Sequence, residues 1–183
     1  MLEVVPKFLL SSNLLVFEGT RQRGQIKTLF LAPHSLNSTI FLLDDICYKP
    51  SSHPRKKAHK WLPQSLRFPW NDESALYIGG ESIAHAKRQR TSLGGRLPVS
   101  TYLVKYENRM FQIVPRPAGG VAQIAVFEKI HHRKHESHEI GSIAVPGWLA
   151  TKTVIDLPES LPLFLQVYIF WLSRSVRDSS QHV

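Results

Sequence analysis

Four histidines, His131, His132, His135 and His138, fall within eight residues, and imidazole is a common ligand for zinc and related divalent metals. Their spacing matches no closed metal site. No cysteine lies nearby, and Arg133 and Lys134 put positive charge where a cation would sit. The expectation is a solvated turn between two strands that gains charge on mild acidification, with these four histidines as the metal-ligand candidates. Asp44 and Asp45 with Asp72 and Glu73 would suit a paired-carboxylate or Mg²⁺ site if the fold united them, but adjacent aspartates after a strand read first as a turn. G-x-S-x-G, the Walker lysine loop, H-E-x-x-H and C-x-x-C are all absent from the sequence, so no nucleophile elbow, phosphate cradle or zinc helix is written into it. The glycine pairs at 79–80, 94–95 and 119–120 read as turns. No cofactor is implied, and a binder is the expectation, with an enzyme whose chemistry sits on motif-free loops as the remaining class.

The residues that could bind are basic. The chain carries 23 Lys and Arg against 14 Asp and Glu, a net charge of +9, which draws it to phosphates on lipid, to nucleic acid or to an acidic protein. The charge gathers in HPRKKAHK at 53–60, in HAKRQRTSLGGR at 85–96 and in the histidine tract, with Arg21 and Arg23 as a smaller group. Pro, Gly and Ser in or near the first two segments predict long exposed loops. The anion-binding candidates are therefore Arg55, Lys56, Lys57, Lys60, Lys87, Arg88, Arg90 and Arg96.

What must position these residues is one domain over 1–177, with a flexible tail at 178–183. Its 183 residues are 43% hydrophobic, enough for a single core. The sole cysteine, Cys47, excludes an internal disulfide framework, and the first ten residues have neither the basic start nor the apolar run of a secretory signal. The expected location is the cytoplasm, with peripheral attachment at a membrane.

Residues 161–172, LPLFLQVYIFWL, are apolar except at Pro162 and Gln166. A helix apolar on all sides must be surrounded. Twelve residues rise only about 18 Å, too short for a bilayer core of about 30 Å, so the surrounding material is protein and no transmembrane segment is expected. Ser160 ahead of Pro162 predicts the cap of a helix over 160–177, since proline is tolerated in a first turn. Upstream, apolar and β-branched runs predict strands at 14–17, 26–31, 39–43 and 75–78, then a more regular series at 100–106, 109–114, 121–130, 139–145 and 148–155. The latter form an antiparallel meander that feeds the helix.

The strand series over 102–113, 124–130 and 140–145, followed by the segment 157–172, resembles the tubby C-terminal-like domain of tubby proteins, phospholipid scramblases, LURP-one-related proteins and a bacterial single-domain group. The likeness spans about the last 85 residues. It implies a mainly β fold, a twelve-stranded antiparallel β-barrel enclosing a hydrophobic C-terminal α-helix. It also implies a non-enzymatic binding role and, for some members, association with anionic phospholipid. The phosphoinositide-binding residues of tubby match no positions here, and the cysteine-rich, calcium-linked flanks of the scramblases are absent. The expected partner is an anionic membrane surface or a protein. The alternative is a barrel for single-stranded nucleic acid, in which Trp61, Trp70 and Tyr77 would stack bases beside the basic residues.

Overall fold

Short runs of alternating character become strands because successive side chains point to opposite faces of a sheet. Residues Thr39, Phe41 and Leu43 of one strand are buried, while Ile40 and Leu42 between them are partly exposed. A computed structural model describes residues 1–7, 13–28, 39–53, 73–91, 99–116, 122–129, 137–145 and 152–180, in main chain only at 52–53, 90–91, 99–100, 122, 145 and 175–180. In order, the elements are β1 (Leu2–Pro6), β2 (Leu14–Glu18), β3 (Arg21–Thr28), β4 (Thr39–Leu43), β5 (Ile46–His53) and β6 (Glu73–Ile78), then β7 (Glu81–Thr91), β8 (Val99–Tyr106), β9 (Arg109–Arg116), β10 (Ala122–Lys129), β11 (Ser137–Val145), β12 (Thr153–Asp156) and α1 (Leu163–Ser180).

Each strand pairs antiparallel with the next, and β1 pairs with β12 through Leu2 opposite Ile155 and Val4 opposite Thr153, closing a barrel of twelve strands. Closure removes the exposed edges that an open sheet would present. A barrel this wide leaves a lumen that wall side chains alone do not fill, and α1 occupies it. Leu165, Val167, Tyr168 and Ile169 are fully buried, and Phe170 and Leu172 nearly so, which covers every side of the helix. Around it pack Val16, Ile26, Phe41, Leu76, Val104, Phe111, Ile113, Ile124 and Ile143, one or more from most of the strands.

The helix has a defined entrance and exit. Strands β2, β4, β6, β8, β10 and β12 finish at one end of the barrel, and α1 follows β12, so it enters there; near this end Phe164 stacks on Tyr48 of β5 at 5.2 Å and meets Tyr106 of β8 edge-on at 5.6 Å. Deeper, Trp171 meets Phe41 at 6.2 Å. The Tyr168 hydroxyl donates to Ser74 Oγ at 2.9 Å, and Ser74 donates on to the Ser51 carbonyl at 2.9 Å. Ser74 is the second residue of β6, close to the opposite, exit end.

At the entry end the β2–β3, β4–β5, β6–β7 and β8–β9 hairpin turns are two residues long. Asp44 and Asp45 both take positive φ (46° and 65°), as do Gly79 and Gly80 (57° and 96°), the backbone that a type I′ hairpin turn requires. Gly141 and Gly24 serve close approach: a Cβ on Gly141 would lie 2.0 Å from the Asp156 carbonyl oxygen, and one on Gly24 2.1 Å from that of Leu42.

Several sequence expectations change. The segment 85–96 is not wholly a loop, because its first seven residues continue β7. Residues Leu2–Pro6 and Ile46–His53 are strands that the apolar pattern did not mark. The helix begins at Leu163 and not at a Ser160 cap. Residues 158–161 form a tight turn closed by the Leu161 amide donating to the Pro158 carbonyl at 3.0 Å, and the first helical carbonyl is that of Pro162, which accepts from Gln166 at 3.1 Å. Gln166, the polar exception in the apolar run, is buried because its Nε2 donates to the Leu161 carbonyl at 2.8 Å, which ties the helix to its entry turn.

Candidate anion-binding end

Two of the three basic segments spring from one arc of the barrel. Strands β5, β6, β7 and β8 are neighbours; β5 leaves at the exit end at His53 and β6 returns there at Glu73, β7 leaves there at Thr91 and β8 returns at Val99. Arg55, Lys56, Lys57 and Lys60 belong to residues 54–72 and Arg96 to residues 92–98, which lie outside the described residues. Trp61 and Trp70 lie in the first of these segments, while Tyr77 is half-buried on β6.

Lys87 and Arg88, on β7, point to opposite faces. Lys87 is exposed and stands across from Glu73, with Nζ 3.7 Å from its carboxylate. Both side chains are so open to water that the pair adds little to stability. Arg88 shares the inward register of the buried Ala84 and Ala86, opposite Tyr102, and its Nε is shut off from solvent. Arg90 continues β7 two residues further toward the exit end. An inward arginine near the mouth of a lumen is an unusual place for a residue that merely aids solubility.

Residues that the sequence did not single out add to this end. Lys7 follows β1, Lys27 is next to last in β3, Arg116 closes β9, Lys152 precedes β12, and Arg174 is exposed on the helix where it emerges. Each is an isolated positive charge in the sequence; only strand direction and helix direction unite them. Glu73 is the one acidic side chain among the described residues beside them, apart from Glu3 and Glu139, which reach Lys152 (2.5 Å) and Arg116.

The entry end is mixed in charge, and the third basic segment, the histidine tract, joins β10 at Lys129 to β11 at Ser137 there. The turns and flanks of this end carry Glu18, Asp44, Asp45, Glu81, Glu107, Asp156 and Glu159. Arg21, Arg23, Lys105, Arg109 and Lys129 stand among them. Arg23 forms a two-pronged pair with Asp44, Nε to Oδ1 at 2.9 Å and Nη2 to Oδ2 at 2.6 Å, and also bonds Glu18. The hydrogen bond from Arg23 holds the Asp44 carboxyl below its usual range, and Asp44 chiefly raises the guanidinium in turn. Asp44 and Asp45 are thus a turn locked by arginine, at the other end of the barrel from Glu73, so among the described residues the paired-carboxylate site is not assembled; Asp72 lies outside them.

A second pair lies at this entry end. Arg109 and Glu128, on the inward register beyond Phe111 and Val126, meet through Nε to Oε1 at 2.6 Å and Nη2 to Oε2 at 2.9 Å, and the guanidinium lies 5.1 Å from the Phe111 ring. The Arg109 hydrogen bond holds the Glu128 carboxyl below the usual glutamate range against the opposing effect of burial. Of the four candidate metal-ligating histidines, only His138 is described; it is exposed, with Nε2 4.0 Å from Glu128. His131, His132 and His135 lie outside the described residues, and among the described residues no three His, Cys, Asp or Glu side chains gather as a metal-ligand group.

No family model, curated protein or solved structure matches this chain. Among the described residues, no helix is long and apolar enough to cross a membrane.

Proposed function

We propose that this is a non-enzymatic barrel of the tubby C-terminal-like type that engages an anionic phospholipid surface through its exit end. The observation that carries the reading is that the strand ends flanking two basic segments, His53, Glu73, Thr91 and Val99, share one end of the four-strand arc β5 to β8, with Arg88 facing inward at the same end. Phosphate recognition of this kind needs clustered cations more than a shaped pocket, because each lysine or arginine near an anionic leaflet contributes about 1 kcal/mol and several add. The closed twelve-strand meander around a C-terminal helix supports the family resemblance at the level of architecture. A partner protein with an acidic face, or a single-stranded nucleic acid, would be drawn by the same charge.

Co-sedimentation separates these. Purified protein is mixed with neutral phosphatidylcholine vesicles or with vesicles containing phosphatidylserine, with and without a single-stranded oligonucleotide. Retention on the anionic vesicles alone, unmoved by the oligonucleotide, is the expected result. Displacement by the oligonucleotide would replace the lipid reading with the nucleic-acid one, and absence from both vesicle types would refute it.

A further inference from the structure

The two ends of the barrel differ in charge along its axis. At the exit end stand Lys7, Lys27, Lys87 and Arg174, while the entry end mixes Asp45, Glu81, Glu107 and Glu159 with Arg21, Lys105 and Lys129. We infer that the protein docks end-on, with the barrel axis close to the normal of a phosphatidylserine-containing bilayer, the exit end down and the charge-balanced entry end away. This rests on the lipid reading above and specifies its geometry.

The distances decide between end-on and side-on contact. Strands such as β9 are 8 residues long, which spans about 26 Å along the strand and about 20 Å along the axis of a barrel with strands tilted near 40°. The field of an anionic leaflet decays with a screening length of about 8 Å at physiological salt. End-on, the exit cations lie inside that length and the acidic turns lie more than two lengths beyond it, where repulsion is negligible. Side-on, both ends come within reach, but at the entry end Asp45, Glu81 and Glu107 offset Arg21, Lys105 and Lys129, so that contact adds little to what the exit end supplies alone. The helix strengthens the case: it places Arg174 at the end where the basic strands finish, on an element that comes from none of the walls bearing the clustered basic segments.

The test compares two pairs of neutralised charges. Lys7→Gln with Arg174→Gln removes two cations from the exit end, neither of them in the β5 to β8 arc. Lys105→Gln with Lys129→Gln removes two from near the entry end. Equal thermal melts first establish that both double variants fold. On phosphatidylserine vesicles the exit-end variant is expected to partition about 25-fold more weakly than the parent, about fivefold per charge, and the entry-end variant within about twofold of it. Equal losses in both variants, or no loss in the exit-end variant, would overturn end-on docking while leaving lipid binding intact. Failure of the parent protein to bind the vesicles would overturn the lipid reading and this inference with it.

Discussion

The contact that most specifically fixes the helix inside the barrel is the Tyr168 hydroxyl on Ser74, residues 94 apart in sequence. It can be weighed by a double-mutant cycle. Tyr168→Phe keeps the ring, which stacks on Trp171 at 6.0 Å and 15°, and removes only the donor. Ser74 loses an incoming bond but still donates to the Ser51 carbonyl, so the expected loss is about 1 kcal/mol. Ser74→Ala does more harm. It removes the acceptor from a fully buried phenol and leaves a donor desolvated, at about 1 to 3 kcal/mol. In the double variant that stranded donor is gone, so the two losses fall short of additivity by about 1 kcal/mol. Urea unfolding of the four proteins at fixed pH reads this directly, and about 1 kcal/mol corresponds to roughly 2 to 4 °C in Tm for a chain of this size. Additivity to within about 0.3 kcal/mol, the behaviour of distant sites, would refute the seating of the helix against β6.

Three further outcomes follow from the packing. Glu128 has its folded carboxyl below the usual range because Arg109 donates to it, so its contribution is present above the ordinary glutamate value and lost as pH falls through the depressed folded value. Glu128→Gln should therefore cost about 1 kcal/mol near neutrality and flatten the acid side of the stability profile in urea melts from pH 7 to 3; an unchanged acid limb would show that the pair is not formed. Gly141→Ala forces a methyl group into the Asp156 carbonyl and should lower stability by more than about 2 kcal/mol through a parted β11–β12 seam, measured as a fall in Tm; a neutral effect would contradict that seam. Leu165→Asp buries an unpaired charge at a position with no exposure, a cost of several kcal/mol against a total stability of about 5 to 15. Expression should give insoluble protein, while Ser160→Asp on the exposed entry turn stays soluble.

The helix was legible because an apolar run as long as 161–172 has no alternative to burial, and the β8–β9 hairpin because Glu107 and Asn108 separate two β-branched and aromatic runs. Strand β7 was not. Among its described side chains the buried inward ones are Ala84 and Ala86, and the outward ones include His85 and Lys87, so the apolar alternation that marks a strand nearly vanishes and its charges read as a loop. Strand β5 carries Pro50, which withholds a ladder donor; β4 is in register with β5 only over Ile46 to Tyr48, so Pro50 has its registered partner, Leu76, on the β6 side alone. Closure itself depends on β1 meeting β12, a pairing across most of the chain that no local pattern encodes. The basic end was half-legible: clusters such as Arg55 to Lys60 announce themselves, but Lys7, Lys27, Arg116, Lys152 and Arg174 are single charges until strand direction brings them together.

Native-state hydrogen exchange resolved by residue tests the sheathed helix most directly. If the barrel must open before α1 can, the amides of residues 165–172 should exchange as slowly as those of β8 and β9, only through global unfolding, with opening free energies that track urea in parallel. Helix amides that exchange through a smaller, earlier opening, while β8 and β9 stay protected, would contradict a helix enclosed by a closed barrel.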